Sequence, residues 1–114
     1  MTLEEYEEQA NETAQYPGRL GMKRDDIMGL MYTSLGLAGE AGEYADKIKK
    51  VLRDDNSNIK CREPLLYELG DVLWYVTQNA QELGFSLKEV AQMNIEKLRS
   101  RKSRRKIGGS GDNR

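Results

Sequence analysis

Between residues 25 and 53, apolar side chains recur at Leu30, Leu37, Ala41, Tyr44, Ile48 and Leu52, all at helical spacings. That pattern puts them on one stripe of a long α-helix and excludes the two-residue alternation of a half-buried strand. Such a stripe must be covered by neighbours, and the rest of the chain supplies helical ones. Thr2 followed by Glu5 has the form of a capping box and predicts a first helix over residues 3–15, stopped by Tyr16-Pro17-Gly18. Residues 54–58 are turn material. Pro64 suits the first position of a third helix, whose apolar face is Leu65, Leu69, Val72, Leu73, Val76 and Ala80 and which ends near Leu83 with Gly84 as its cap. Ser86 with Glu89 forms a second capping box and opens a fourth helix through about Lys102. No strand-like alternation, internal repeat or linker interrupts this order. The expectation is an all-α bundle of four main helices over residues 1–106, the second and third forming an antiparallel hairpin. An irregular, glycine-rich tail, residues 107–114, follows.

Composition qualifies that bundle. With 114 residues, 38% apolar and 32% charged, the chain has a thin core, so self-association into a dimer or tetramer is expected to complete it. No run approaches the ~18 apolar residues of a membrane span, and residues 1–14 are acidic where a signal peptide is basic and then apolar. A soluble cytoplasmic protein is expected. Cys61 has no second cysteine with which to form a disulfide or zinc site.

Histidine is absent, which removes the commonest general base, the commonest transition-metal ligand and every Ser-His or Cys-His nucleophile. Acid–base chemistry must then rest on carboxylates, lysine, tyrosine or metal-bound water. The net charge of -1 conceals basic side chains concentrated in residues 97–106. No aromatic residue interleaves with that run, so nucleic-acid binding is not indicated; contacts to a phosphate tail and a solvated helix end are the two readings that remain.

Carboxylates carry the sharper signal. Glu40 and Glu43 stand three residues apart on the second helix, about 60° apart around it. Glu68 and Asp71 repeat the arrangement on the third, flanking its apolar stripe. Either pair alone is what any solvated acidic helix shows. Two pairs on adjacent helices of one hairpin can converge, and like charges brought together call for a compensating cation. Hard oxygen donors with waters and phosphate oxygens suit Mg²⁺, with Mn²⁺ as an alternative. Gly29, Gly36, Gly39 and Gly42 lie in the second helix at about 1 kcal/mol each relative to alanine. Gly29, Gly36 and Gly39 share the side of Glu40, Glu43 and Lys47, where they clear room for a ligand or for another helix. Lys47 either pairs with Glu43 at i, i+4 or reaches phosphates. Asn94, Lys97 and Arg101 form one stripe of donors on the fourth helix, suited to phosphate oxygens. Trp74, Tyr32 and Tyr44 could stack on a nucleobase; core or subunit-interface roles are preferred for Trp74 and Tyr44.

The run Leu37-Ala38-Gly39-Glu40-Ala41-Gly42-Glu43, then 24 residues, then Glu68-Leu69-Gly70-Asp71 resembles the signature of MazG-like nucleotide pyrophosphohydrolases. These belong to the all-α superfamily that includes dimeric dUTPases and dCTP pyrophosphatases. The resemblance spans residues 25–114 and includes the closing tail. It implies Mg²⁺ held by Glu40, Glu43, Glu68 and Asp71, and cleavage of a nucleoside triphosphate into a monophosphate and pyrophosphate. Glu40 or Glu43 would orient and deprotonate the attacking water, the choice between them staying open. Tyr75, Asn94 and Lys97 match positions that the family directs at substrate. The competing reading is a non-catalytic helical interaction module that uses its acidic groove to bind a cation or partner. The nucleobase, and the role in clearing or controlling nucleotide pools, are not legible.

Overall fold

The computed structural model describes residues 1–55, 58–105 and 107–114. Asn56 and Ser57 of the expected turn, and Lys106 at the end of the basic run, lie outside the described residues. The described chain is all-helical, with α1 (Leu3–Asn11), a 3₁₀ turn (Gly21–Arg24), α2 (Met28–Asp54), α3 (Glu63–Glu82) and α4 (Leu87–Ser103).

Local chemistry sets these boundaries. The Thr2 hydroxyl accepts from the Glu5 N–H at 3.1 Å while the Glu5 carboxylate accepts from the Thr2 N–H at 2.8 Å, a complete capping box. At α4 only half of that device forms: the Ser86 hydroxyl accepts from the Glu89 N–H, while the Leu87 N–H is taken by the Glu7 carboxylate of α1 at 3.0 Å. An acidic side chain from another helix thus satisfies one of the free donors at the start of α4. α1 is shorter than the sequence pattern suggests, stopping at Asn11 rather than Gln15. Thr13 turns its hydroxyl back to the Ala10 carbonyl, and the Asn11 side chain accepts from the Gln78 and Gln81 amides of α3 at 3.2 and 2.8 Å. α2 begins at Met28, later than the Asp25-Asp26 pair; Asp25 adopts a left-handed conformation, φ 56°, that closes the 3₁₀ turn.

α2 and α3 form the expected hairpin, with α1 and α4 against α3. The interior of the single chain is small and largely polar. Ala10, Ala14, Ala80 and Leu87 are its buried apolar residues, beside buried Thr33, Thr77 and Gln78. The expected apolar stripes are only partly covered. Leu30, Leu37, Tyr44 and Ile48 are half-buried, whereas Ala41, Leu52, Leu69 and Leu73 are exposed. Periodicity identifies the face that avoids water and leaves open which chain covers it. The Cα radius of gyration is 17.0 Å, well above the roughly 13 Å of a compact domain of this length.

Candidate active site

At Gly36 the α2 backbone meets Tyr75 of α3. A Cβ there would run into the Tyr75 ring, so glycine admits the tyrosine against the α2 backbone. Gly29 plays the same part for the segment before α2, lying under Gly18 and Glu82. Gly39 and Gly42 have open space around them. Of the two uses that the sequence allows for these glycines, Gly29 and Gly36 serve close packing.

One turn beyond Gly36 the acids meet. Oxygens of Glu40, Glu68 and Asp71 lie within 4.8 Å of one another. Glu68 is buried, Glu40 half-buried and Asp71 exposed, so the cluster opens to solvent on the aspartate side. Burial pushes the Glu40 carboxyl above its usual range, and the neighbouring charges of Glu43, Asp71 and Glu68 push it the same way. Glu43 therefore adjoins the group through Glu40 without sharing its tightest part. Glu40 Oε2 and Glu68 Oε2 are buried with no hydrogen-bond partner. A set of carboxylate oxygens with two unpartnered members is the donor chemistry that a hard divalent cation takes.

Lys47 crosses the hairpin. Its ammonium lies 2.8 Å from Glu68 Oε1 and is pushed up chiefly by that bond. The ion pair is with Glu68 of α3, not with Glu43 on its own helix. Tyr75 stands one turn beyond Asp71, its hydroxyl raised mainly by burial and further by Tyr32, Glu40 and Asp71. Trp74 donates its indole N–H to Thr13 Oγ1 at 2.9 Å and packs edge-on against Tyr75.

Asn94, Lys97 and Arg101 sit elsewhere. Asn94 is exposed on α4, Lys97 pairs with Asp112 at 3.2 Å, and Arg101 is 4% exposed beneath the tail. The Arg101 guanidinium donates to the Asp112 and Gly111 carbonyls at 2.9 and 3.3 Å and meets the Asp112 carboxylate at 3.4 Å. Among the described residues no hydrogen bond or ion pair joins this stripe to the acid cluster. The tail, expected to be irregular, folds back through Asp112 onto the basic helix.

Two residues, one beside the site and one beyond it, escaped the sequence reading. Tyr6 of α1, which packs on α3, has its hydroxyl pushed up by burial and then by the charge of Asp71. Glu82 is bonded to Tyr16 and Leu20. It follows Asp71 by eleven residues, three turns further along α3, and so lies away from the acids.

The model of the MazG nucleotide pyrophosphohydrolase domain matches residues 31–105, more than half of the chain. The chain belongs to the MazG family. The match takes in most of α2 and all of α3 and α4, hence Glu40, Glu43, Glu68, Asp71 and the α4 stripe; α1 precedes it and the tail follows. The chain is also similar to the Gene 37 protein of Mycobacterium phage L5, 50% identical over 116 residues covering 100% of both chains. No solved structure matches. Nucleotide pyrophosphohydrolysis is the activity of the MazG domain, and the acid cluster lies inside the matched region. No helix among the described residues is long and apolar enough to cross a membrane.

Proposed function

We propose that this MazG domain is a Mg²⁺-dependent nucleoside triphosphate pyrophosphohydrolase that converts an NTP or dNTP to its monophosphate and pyrophosphate, as a homo-oligomer. The observation that carries the reading is the convergence of Glu40, Glu68 and Asp71, with two buried oxygens unpartnered and Glu43 adjoining. Glu40, Glu43, Glu68 and Asp71 would hold the cation, with Mn²⁺ able to substitute. When bound, the cation supplies neutralisation of the triphosphate and a lowered pKa for the attacking water. The protein's own residues do the rest. Glu40 or Glu43, whichever keeps a free oxygen, orients the water and accepts its proton. Lys47, already at the edge of the cluster, and Tyr75 face the phosphates from the hairpin. Lys97 and Arg101, with Asn94, would bind phosphate oxygens once the tail releases them: in the single chain both cations hold the Asp112 carboxylate, which is the same anion chemistry.

The test is pyrophosphate release from a panel of nucleotides with Mg²⁺. Glu43→Gln and Asp71→Asn are each expected to abolish turnover while leaving the helical circular dichroism unchanged. Wild-type rates in both variants would refute the site, and release of orthophosphate instead of pyrophosphate would refute the reaction.

A further inference from the structure

A second buried carboxylate stands away from the acid cluster. Glu82, at the end of α3, is 3% exposed. Its Oε1 accepts from the Tyr16 hydroxyl at 2.5 Å and from the Leu20 N–H at 2.9 Å, and its Oε2 is buried without a partner. A Cβ at Gly29 would lie 2.8 and 2.9 Å from these two oxygens, so α2 has glycine where the carboxylate must enter. Leu20 takes a left-handed φ of 56°, a conformation that its bond to Glu82 holds. Burying a carboxylate is costly where apolar packing would do. What Glu82 secures is the strap, residues 16–20, that joins α1 to the 3₁₀ turn.

The strap carries an aromatic side chain to a defined place. The Tyr16 ring lies parallel to Tyr32, with centroids 5.6 Å apart, and edge-on to Trp74 at 6.4 Å; Trp74 is edge-on to Tyr75 at 4.9 Å. Tyr75 stands one turn beyond Asp71 on α3 and packs against Gly36, one turn before Glu40 on α2. An aromatic row therefore leads from the acid cluster to the strap. Beside it Tyr32 is 42% exposed and borders an open cavity of about 520 Å³, walled by Pro17 and Asp26 on one side and by Met28, Met31 and Leu35 of α2 on the other. The acids match the polyphosphate end of a nucleotide through a cation. The aromatic row, with its π faces and apolar surround, matches the other end.

We propose that Glu82 is a positioning residue for the nucleoside end of the substrate: by pinning Tyr16 and Leu20 it preforms the Tyr16–Tyr32 stacking wall. This rests on the pyrophosphohydrolase reading for its substrate class. Tyr16→Phe removes only the hydroxyl that Glu82 holds. It is expected to raise KM for nucleoside triphosphates about tenfold, the worth of one charge-assisted hydrogen bond, with kcat within about twofold of wild type. The inhibition constant of inorganic tripolyphosphate, which has no base, should not move. Glu82→Ala should reproduce Tyr16→Phe, and Glu82→Gln, which keeps one oxygen for both donors, should stay near wild type; if Glu82→Ala does not fold, Tyr16→Phe carries the test. Trp74, the only tryptophan, gives a readout without turnover: the midpoint of its fluorescence quenching by a nucleoside monophosphate should shift by the same factor. If KM and the tripolyphosphate constant rise together, or if Tyr16→Phe changes neither KM nor the quenching midpoint, the inference is overturned. A wild-type protein that hydrolyses no triphosphate, yet shows Tyr16-dependent quenching by nucleotide, would refute the hydrolase reading and leave the positioning role standing.

Discussion

Lys47 occupies a carboxylate oxygen that a cation would also take, since its ammonium lies 2.8 Å from Glu68 Oε1. In the absence of metal the lysine relieves the repulsion among Glu40, Glu68 and Asp71; in its presence the two positive charges compete. Lys47→Met is therefore expected to lower Tm in EDTA and to tighten Mg²⁺ binding severalfold by calorimetry. A variant that binds Mg²⁺ more weakly would show that the lysine is not a competitor. Glycines sort in the same way. Gly36→Ala drives a methyl into the Tyr75 ring and should cost about 1–3 kcal/mol of stability by overpacking, measurable by urea denaturation. Gly39→Ala meets nothing within the chain and should gain up to about 1 kcal/mol of helix propensity. Loss of activity in Gly39→Ala with the fold intact would mean that ligand or a second copy uses that space. At this scale the convergence of Glu40, Glu68 and Asp71 was legible in the sequence, because an i, i+3 spacing fixes which side of a helix such residues share, whereas the same spacing did not tell that Glu43 stays exposed beside the group. The Lys47–Glu68 pair was not, since helix spacing reports partners within one helix and Glu68 lies on the next. Glu82 and Tyr16 are 66 residues apart in the chain, beyond any local pattern.

Helices and their ends follow the sequence where capping is local and depart from it where another element intervenes. Thr2 and Glu5 cap α1 as written, while α1 stops early because Asn11 is drawn into bonds with Gln78 and Gln81. Glycine-rich composition suggested an irregular tail, and nothing in it specified a docking site. Residues 107–114 are nevertheless tied down: Arg101 binds the Gly111 and Asp112 carbonyls, Arg104 donates to the Arg114 carbonyl at 2.9 Å, and Arg114 donates back to Gly111 and Ile107. Because Asp112 is itself exposed, its charge contributes little through the ion pair, and the backbone carbonyls on the buried Arg101 hold the tail. Asp112→Asn should accordingly leave amide exchange in residues 107–114 nearly unchanged, whereas Arg101→Ala should speed it at least tenfold. Equal acceleration in both variants would instead assign the docking to the carboxylate.

At the scale of the whole molecule, apolar surface and compactness disagree in a way that one copy cannot resolve. Met31 and Leu35 of α2 and Leu66, Leu69 and Leu73 of α3 are exposed, while the interior of the chain is filled largely by threonine, glutamine and glutamate. Low apolar content made a thin core legible, but the periodicity of the stripes could not tell an intramolecular neighbour from an intermolecular one. Burying a leucine fully is worth about 1.5–3 kcal/mol, so covering these faces would contribute as much as an ordinary domain's net stability. A homo-oligomer built on the α2 and α3 faces is therefore expected, with a Tm that rises with protein concentration. Leu66→Glu and Leu73→Glu each place a charge on the α3 face without touching Glu40, Glu68, Asp71 or the cavity beside Tyr32. Both should reduce the mass in sedimentation equilibrium to that of a single chain and lower Tm, and pyrophosphate release should fall with the oligomer because the hairpin that gathers the acids loses its support. Wild-type protein sedimenting as a single chain at micromolar concentration, with a Tm independent of dilution, would show that the exposed leucines are tolerated in water.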